Sequence, residues 1–265
     1  MQRADICHNP CAIPMLTYHQ IAQPPAAPIP YKDHIYLRPD DFAKQMQLLD
    51  RLGYQGMSLS DVHPYLQGER KGRVVGITFD DGYLSTFTEA MPVLKAYGFT
   101  ATSYVVSQLV GQTNKWDSPL ACAKLMNTTE LKQWLMMGND VGSHTRHHLA
   151  LSALGNVDAY AEIAQCKVEL EVMLDAEIKH FCFPYGQYER RHIQMAQKAG
   201  YSTAVTTVRG RCLAGSNLME LPRVAVLGTT SLLAFQLKVV TPYEDRPQTI
   251  AWVRGQLERI LSRAR

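Results

Sequence analysis

Two adjacent carboxylates, Asp80 and Asp81, and two histidines four residues apart, His144 and His148, are the residues here whose types and spacing could do chemistry. Neighbouring carboxylates repel unless their jobs are separated. One can face a metal ion while the other faces a water or a substrate, and a metal would hold its ligand ionised. Asp-Asp-Gly by itself is equally good as a turn. Histidines one helical turn apart can offer nitrogens to one ion from one face. Together with Asp81 they make a two-histidine, one-carboxylate set. Zinc accepts such a set and keeps a position open for water, while nickel, cobalt and iron(II) accept the same ligand types. His147, between the two, should point away as a surface or supporting residue.

The elements that must position these groups can be read around them. Val74 to Phe79 is an apolar, β-branched run that reads as a strand buried on both faces, which puts Asp80 and Asp81 at its carboxyl end. Alternation along the strand would point the two carboxylates apart. Asn139 to Ser143 is a short strand running into His144. Ala12 to Tyr18 is another, with His19 at its end. Gln20 to Arg38 carries Pro24, Pro25, Pro28 and Pro30, with Pro39 just beyond, and reads as an extended loop.

Asp40 or Asp41 is expected to cap a helix with Phe42, Met46 and Leu49 on its apolar side and Gly53 as its stop. A short strand over Tyr54–Leu59 and a short helix from Ser60-Asp61 follow. A helix from Gly82 to about Tyr97, a strand over Thr100–Val106 and a helix over Glu130–Met137 capped by Thr128 or Thr129 come next. The chain then continues with a helix at about Val157–Asp175, with Ile163, Val168, Leu170 and Leu174 for its apolar side. After that come a strand at Lys179–Phe183, a helix at Glu189–Ala199, and strands at Tyr201–Thr206 and Leu221–Leu227. Leu109 to Asn127, with Trp116, Asp117 and Pro119, reads as an inserted loop over the active face. Strands alternating with helices predict a parallel sheet or barrel. A tail over Thr249–Arg265 reads as an amphipathic packing helix, and no domain boundary or internal repeat stands out, so one domain spanning 1–265 is expected.

Composition narrows the function classes. The chain has 265 residues, 46% hydrophobic and 19% charged, with a net charge of +3. That is enough chain to bury a core without disulfides and too little charge, with no Lys/Arg cluster, to point to nucleic acid. No apolar run of about 18 residues predicts a membrane span, and the first residues hold no signal-peptide core, so a cytoplasmic location is expected. The six cysteines are scattered and read as reduced thiols. Cys7-His8 with Cys11 is only half of a metal motif and reads as part of the terminus.

The motifs resemble those of the polysaccharide deacetylases, the carbohydrate esterase family 4 or NodB-homology group, nearest the branch of the poly-N-acetylglucosamine deacetylases. The family's first motif, TFDDG, stands intact as Thr78-Phe79-Asp80-Asp81-Gly82. The second, H-[ST]-x-x-H, stands intact as His144-Thr145-Arg146-His147-His148, and the third is present in part as Cys182-Phe183-Pro184-Tyr185. The resemblance covers about Ile13 to Leu227. It implies a distorted (β/α) barrel of about seven parallel strands and removal of an N-acetyl group from an N-acetylated sugar or polysaccharide. Asp81, His144 and His148 would hold a divalent metal, zinc first, and Asp80 would be the base that activates the water there. The Tyr185 backbone N–H would help stabilise the oxyanion, and Pro184 and Tyr185 would wall the substrate pocket.

Two departures from the family pattern carry expectations of their own. Cys182 replaces the arginine that would orient the base, and Arg223, in Leu221-Pro222-Arg223-Val224, is the candidate to take its place at the substrate pocket. No histidine follows His192, so the family's carboxyl-terminal acid histidine is missing. Leu16-Thr17-Tyr18-His19 fits the rearranged order of the poly-N-acetylglucosamine branch, with His19 as general acid. The same centre would also suit an O-acetyl esterase or a cyclic amide or ureide hydrolase, and a damaged third motif would suit a glycan-binding module without turnover. Intracellular sugar precursors are the substrates that a cytoplasmic location would imply. Tyr83, Trp116 and Tyr185 are aromatics that could stack on sugar rings or belong to the core.

Overall fold

The computed structural model describes residues 12–25, 35–117 and 122–245. Cys7, His8, Cys11 and the expected helix over 249–265 lie outside the described residues. The strands are β1 (Met15–Tyr18), β2 (Gln20–Ile21), β3 (Tyr36–Leu37), β4 (Gln55–Met57), β5 (Val74–Phe79), β6 (Thr102–Val105), β7 (Asp140–Ser143), β8 (His180–Cys182), β9 (Thr203–Arg209) and β10 (Leu221–Ala225). The helices are α1 (Pro39–Arg51), α2 (Leu59–Leu66), α3 (Met91–Ala96), α4 (Thr128–Met136), α5 (Asn156–Leu174), α6 (Arg190–Lys198) and α7 (Leu232–Val240).

Seven strands close a parallel barrel in the order β1, β10, β9, β8, β7, β6, β5 and back to β1. On the edge of β5 opposite β1, β4 pairs with Val74 to Gly76, and β6 takes over at Thr78. The apolar run of β5 is buried along its whole length, as its lack of alternation predicts. Barrel strands with inward and outward faces both buried leave the chemistry to their ends.

Met15, Tyr104, Cys182, Val205 and Leu221 of the strands are buried in one cluster with Leu59 and Val62 of α2. Outside it, Phe42, Met46 and Leu49 of α1, Trp134 of α4 and Ile163, Cys166 and Leu170 of α5 are buried in the surrounding core. Gly142 on β7 has a packing reason. A Cβ there would lie 2.5 Å from the Tyr104 ring and 3.0 Å from the His180 carbonyl oxygen. Gly142→Ala is expected to destabilise the fold by about 1–3 kcal/mol through this overpacking, read as a lower urea midpoint with an unchanged slope.

Several local readings are corrected. Asp40 and Asp41 lie in the first turn of α1, where their charge suits the helix dipole, and Pro39 opens the helix. Asn127 caps α4 through a capping box with Glu130, and Ser58 caps α2. Val168 is 57% exposed, off the buried face of α5. The proline-rich loop contains the two-residue pair β2–β3. A single π turn, Thr86–Ala90, leads into α3 in place of one continuous helix. Helix α7, capped by Ser231, leaves no clear mark in the sequence, because its run of apolar residues shows little helical period. Cys122, Cys166, Cys182 and Cys212 are free thiols. Among the described residues no helix is long and apolar enough to cross a membrane.

Candidate active site

The groups picked out by type and spacing converge at the carboxyl ends of the barrel strands, where barrels of this class carry their chemistry. His19 follows β1, Asp80 and Asp81 follow β5, His144 and His148 follow β7, Pro184 and Tyr185 follow β8, and Arg223 lies within β10. Among the described residues, four of the five non-glycine positions with positive φ are here: Asp81 (73°), Thr145 (64°), His148 (60°) and Tyr185 (58°). Such backbone costs about 1–3 kcal/mol per residue and persists where the surroundings over-determine it.

This strain changes two of the reasons given for the site. Asp80 and Asp81 diverge because the strand stops at Phe79 and Asp81 turns left-handed, not because a strand alternates. His144 and His148 meet across a non-helical loop, with Thr145 and His148 left-handed, and not across a helical turn. The Thr145 hydroxyl accepts from the His148 N–H at 3.1 Å and holds that loop closed.

Asp80 is 4% exposed and forms a two-point pair with Arg223, each guanidinium Nη lying 2.7 Å from one carboxylate oxygen. Arg223 is 2% exposed, and it also donates to the Thr206 carbonyl (2.8 Å) and to the Thr78 hydroxyl (3.1 Å). Its Nη2 lies 3.4 Å from the Cys182 sulfur, so it reaches the position from which the family's arginine is missing. It faces the carboxylate and offers no surface to a pocket. Burial alone would push the Asp80 carboxyl up, but the Arg223 charge and hydrogen bonds outweigh it, and the carboxyl sits below its ordinary range. Burial also keeps the Cys182 thiol protonated by raising its pKa. His19 Nε2 lies 4.0 Å from Asp80 Oδ2, with its side chain 31% exposed.

Asp81 Oδ1 lies 3.3 Å from His144 Nε2 and 3.2 Å from His148 Nε2. All three side chains are buried, and their donor atoms fall within 4.8 Å of one another. His144 Nδ1 donates to the Cys182 carbonyl at 2.9 Å, and His148 Nδ1 pairs with the Tyr185 hydroxyl at 3.1 Å. Burial alone would lower the His144 pKa, but the acidic groups around it and its hydrogen bond to Asp81 outweigh burial and raise it, so without a metal the Nε2–Asp81 contact is closed by a proton. With Nδ1 committed to a carbonyl, Nε2 is the atom that a metal would take in place of that proton, and two imidazoles and a carboxylate converging on one point are a donor set that fits a divalent metal. Asp80, His144 and Cys182 also lie within that reach, but the Arg223 cation already paired with Asp80 and the protonated Cys182 thiol disfavour a second cation there.

The surroundings include residues that the sequence did not assign. Tyr83 is 1% exposed in a small apolar cluster with Val106, Leu109 and Leu125. Burial and contact with Asp81 push its hydroxyl pKa up. It is thus a core residue touching the Asp81 carboxylate, not a sugar-stacking one, and its place directly after the Asp-Asp-Gly turn is the available signal. Glu162 of α5, 6% exposed, accepts from the Arg146 and His147 N–H groups and from His147 Nδ1. It turns His147 away from the two ligand candidates, and no sequence signal marks it.

Trp116, in the inserted loop, stacks on the His148 ring at 4.2 Å, and Tyr185 meets the same ring edge-on at 4.6 Å. An open cleft of about 600 Å³ beside His148 is lined by Lys115, Trp116, Leu149, Tyr185 and Gln187, among others. Pro184 is buried, and Tyr185 is 52% exposed at the cleft wall.

A parallel (β/α) barrel with a buried Asp/His/His cluster and an arginine-held carboxylate at its mouth defines a class of hydrolase scaffold, and sequence comparison sharpens it. The family model of the polysaccharide deacetylases matches residues 67–204, just over half of the chain, and the chain belongs to that family. A relative in Bacillus subtilis (strain 168), YxkH, is 28% identical over 229 residues, which is 86% of this chain and 76% of the relative. The poly-β-1,6-N-acetyl-D-glucosamine N-deacetylase of Escherichia coli (strain K12) is 24% identical over 253 residues and 81% of this chain, and the match spans only 37% of that longer protein. The solved structure of the Streptococcus pyogenes deacetylase PplD, in complex with acetate, superposes with a TM-score of 0.74 at 27% identity and covers 88% of this chain and 100% of that one.

Proposed function

We propose that this chain hydrolyses the N-acetyl group of an N-acetylated saccharide, with Asp81, His144 and His148 holding a divalent metal, zinc first. The observation that carries the reading is the pairing of Asp80 with Arg223 directly beside the buried Asp81/His144/His148 set. When bound, the metal would supply Lewis-acid polarisation of the acetamide carbonyl and acidify water. Asp80 takes a proton from the attacking water. Arg223 keeps Asp80 ionised and aimed, since both of its oxygens are fixed in one plane. His19, on the open side of Asp80, donates a proton to the departing amine as the C–N bond breaks. The Tyr185 backbone N–H donates to the oxyanion, and Tyr185 and Trp116 form walls for the sugar. The products are acetate and a free amino sugar. The name of the Streptococcus pyogenes relative supports deacetylation, and that of the Escherichia coli relative supports an N-acetylglucosamine-type substrate.

The test is acetate release by the purified protein after chelation and after zinc is restored. Substrates would be N-acetylglucosamine oligomers, a nucleotide-linked N-acetyl sugar and an O-acetyl ester. Metal-dependent release from an N-acetyl substrate is the expected result; release from the ester alone would replace this reading with an esterase. His19→Ala is expected to lower turnover by about 10²-fold or more with metal content unchanged by elemental analysis. Loss of metal in that variant would assign His19 to the metal instead.

A further inference from the structure

Building on the metal centre proposed above, we infer that Trp116 is a positioning residue for it, clamping the His148 ring so that the inserted loop and the bound metal stabilise each other. His148 needs such a clamp more than His144 does. His144 continues directly from β7, its N–H bonded to the Val105 carbonyl (2.9 Å) and its Nδ1 to the Cys182 carbonyl. His148 stands on left-handed backbone four residues into a loop, and its Nδ1 meets only the hydroxyl of a half-exposed tyrosine. Trp116 covers one face of the His148 ring nearly parallel, at 26°, while Tyr185 meets it edge-on at 67°. Between them the ring has little rotational freedom left, and Nε2 stays directed at Asp81.

The loop that carries Trp116 is tied to the metal side of the barrel at its base. Gly111 N–H donates to the Met126 carbonyl, Leu125 N–H to the Gln112 carbonyl and Met126 N–H to the Gly82 carbonyl, next to Asp81. Isolated bridges pair Thr113 with Lys124 and Tyr83 with Leu125. The indole thus stands three residues beyond a braced base, residues 111–113 against 124–126, that rests on the Asp-Asp-Gly turn. Hydrogen-bonded partners that fix a ligating ring are worth about 10–100-fold in metal affinity or activity; a stacked indole that fixes the same orientation is expected at the low end of that range, and by linkage the metal returns the same free energy to the loop.

The experiment is zinc affinity by chelator competition on the full chain, in Trp116→Ala, Trp116→Phe and Lys115→Ala. Lys115 shares the turn of Trp116 but bonds to Gln112. Trp116→Ala should bind zinc about tenfold more weakly or worse, Trp116→Phe should recover most of that loss by restoring a ring face, and Lys115→Ala should match the unmodified chain. A second readout uses no turnover. With Trp134 and Trp252 replaced by Phe, zinc should change the emission of Trp116, because its stacking partner becomes a metal ligand. Unchanged zinc affinity in Trp116→Ala, equal losses in the Ala and Phe variants, or a Trp116 emission blind to zinc would overturn the inference. If the unmodified chain bound no zinc at all, the metal-centre reading itself would fall.

Discussion

Asp80→Asn is expected to stop acetate release while leaving the metal in place. The substitution is nearly isosteric, but it also leaves the buried Arg223 charge without its carboxylate, so the melting temperature should fall too and the chemical loss is read at a temperature where the variant is folded. It removes the charge proposed to take up the proton of water, a step worth about 10²–10⁴-fold, and it puts an amide opposite the Arg223 guanidinium, where one Nη donor then faces an NH₂ group. Its neighbour Asp81 keeps both histidine contacts. The measurement pairs acetate release with metal content by elemental analysis. Retained activity within a few-fold of the unmodified chain would remove Asp80 from the base role.

Arg223→Ala should be the most damaging single change to the fold and the site together. The arginine and Asp80 are both buried and paired at two points. A buried ion pair adds little over a well-packed apolar pair, but removing one member strands the other, at about 3–5 kcal/mol. Burial alone would push the Arg223 charge off, and Asp80 is what holds it on. In the variant, the Asp80 carboxyl would lose what holds it below its ordinary range and be pushed up by burial, so stability and turnover should fall together. Adding Cys182→Arg to Arg223→Ala returns a cation to the place from which the family's arginine is missing, 3.4 Å from where the Arg223 Nη2 had been. Partial recovery of both melting temperature and turnover is expected. Recovery of neither would mean that the route by which Arg223 arrives, from β10 past Thr206 and Thr78, is itself required.

Much of this was legible in the chain alone, and the reason differs from residue to residue. The β5 run and the Asp-Asp-Gly turn after it are local signals, since burial on both faces and a strained turn each leave a mark in consecutive residues. The His144/His148 spacing is local too, although the expected helical turn proved to be a left-handed loop. The alternation of strand and helix is a sum of local periods, and it predicted a parallel sheet or barrel before any contact was known.

What only the tertiary structure decided are the contacts between distant strands. Closure through β1 pairing with both β5 and β10 brings His19 and Arg223 against Asp80, over separations of 61 and 143 residues. Sequence marks Arg223 only by its position late in the chain. Its two-point grip on Asp80 follows from barrel register, to which no single stretch of sequence is sensitive. Glu162, Tyr83 and the stacking of Trp116 on His148 belong to the same group. Each is an ordinary helix, turn or loop residue by its local pattern, and each acquires its place at the site only when the barrel closes around a shared set of strand ends.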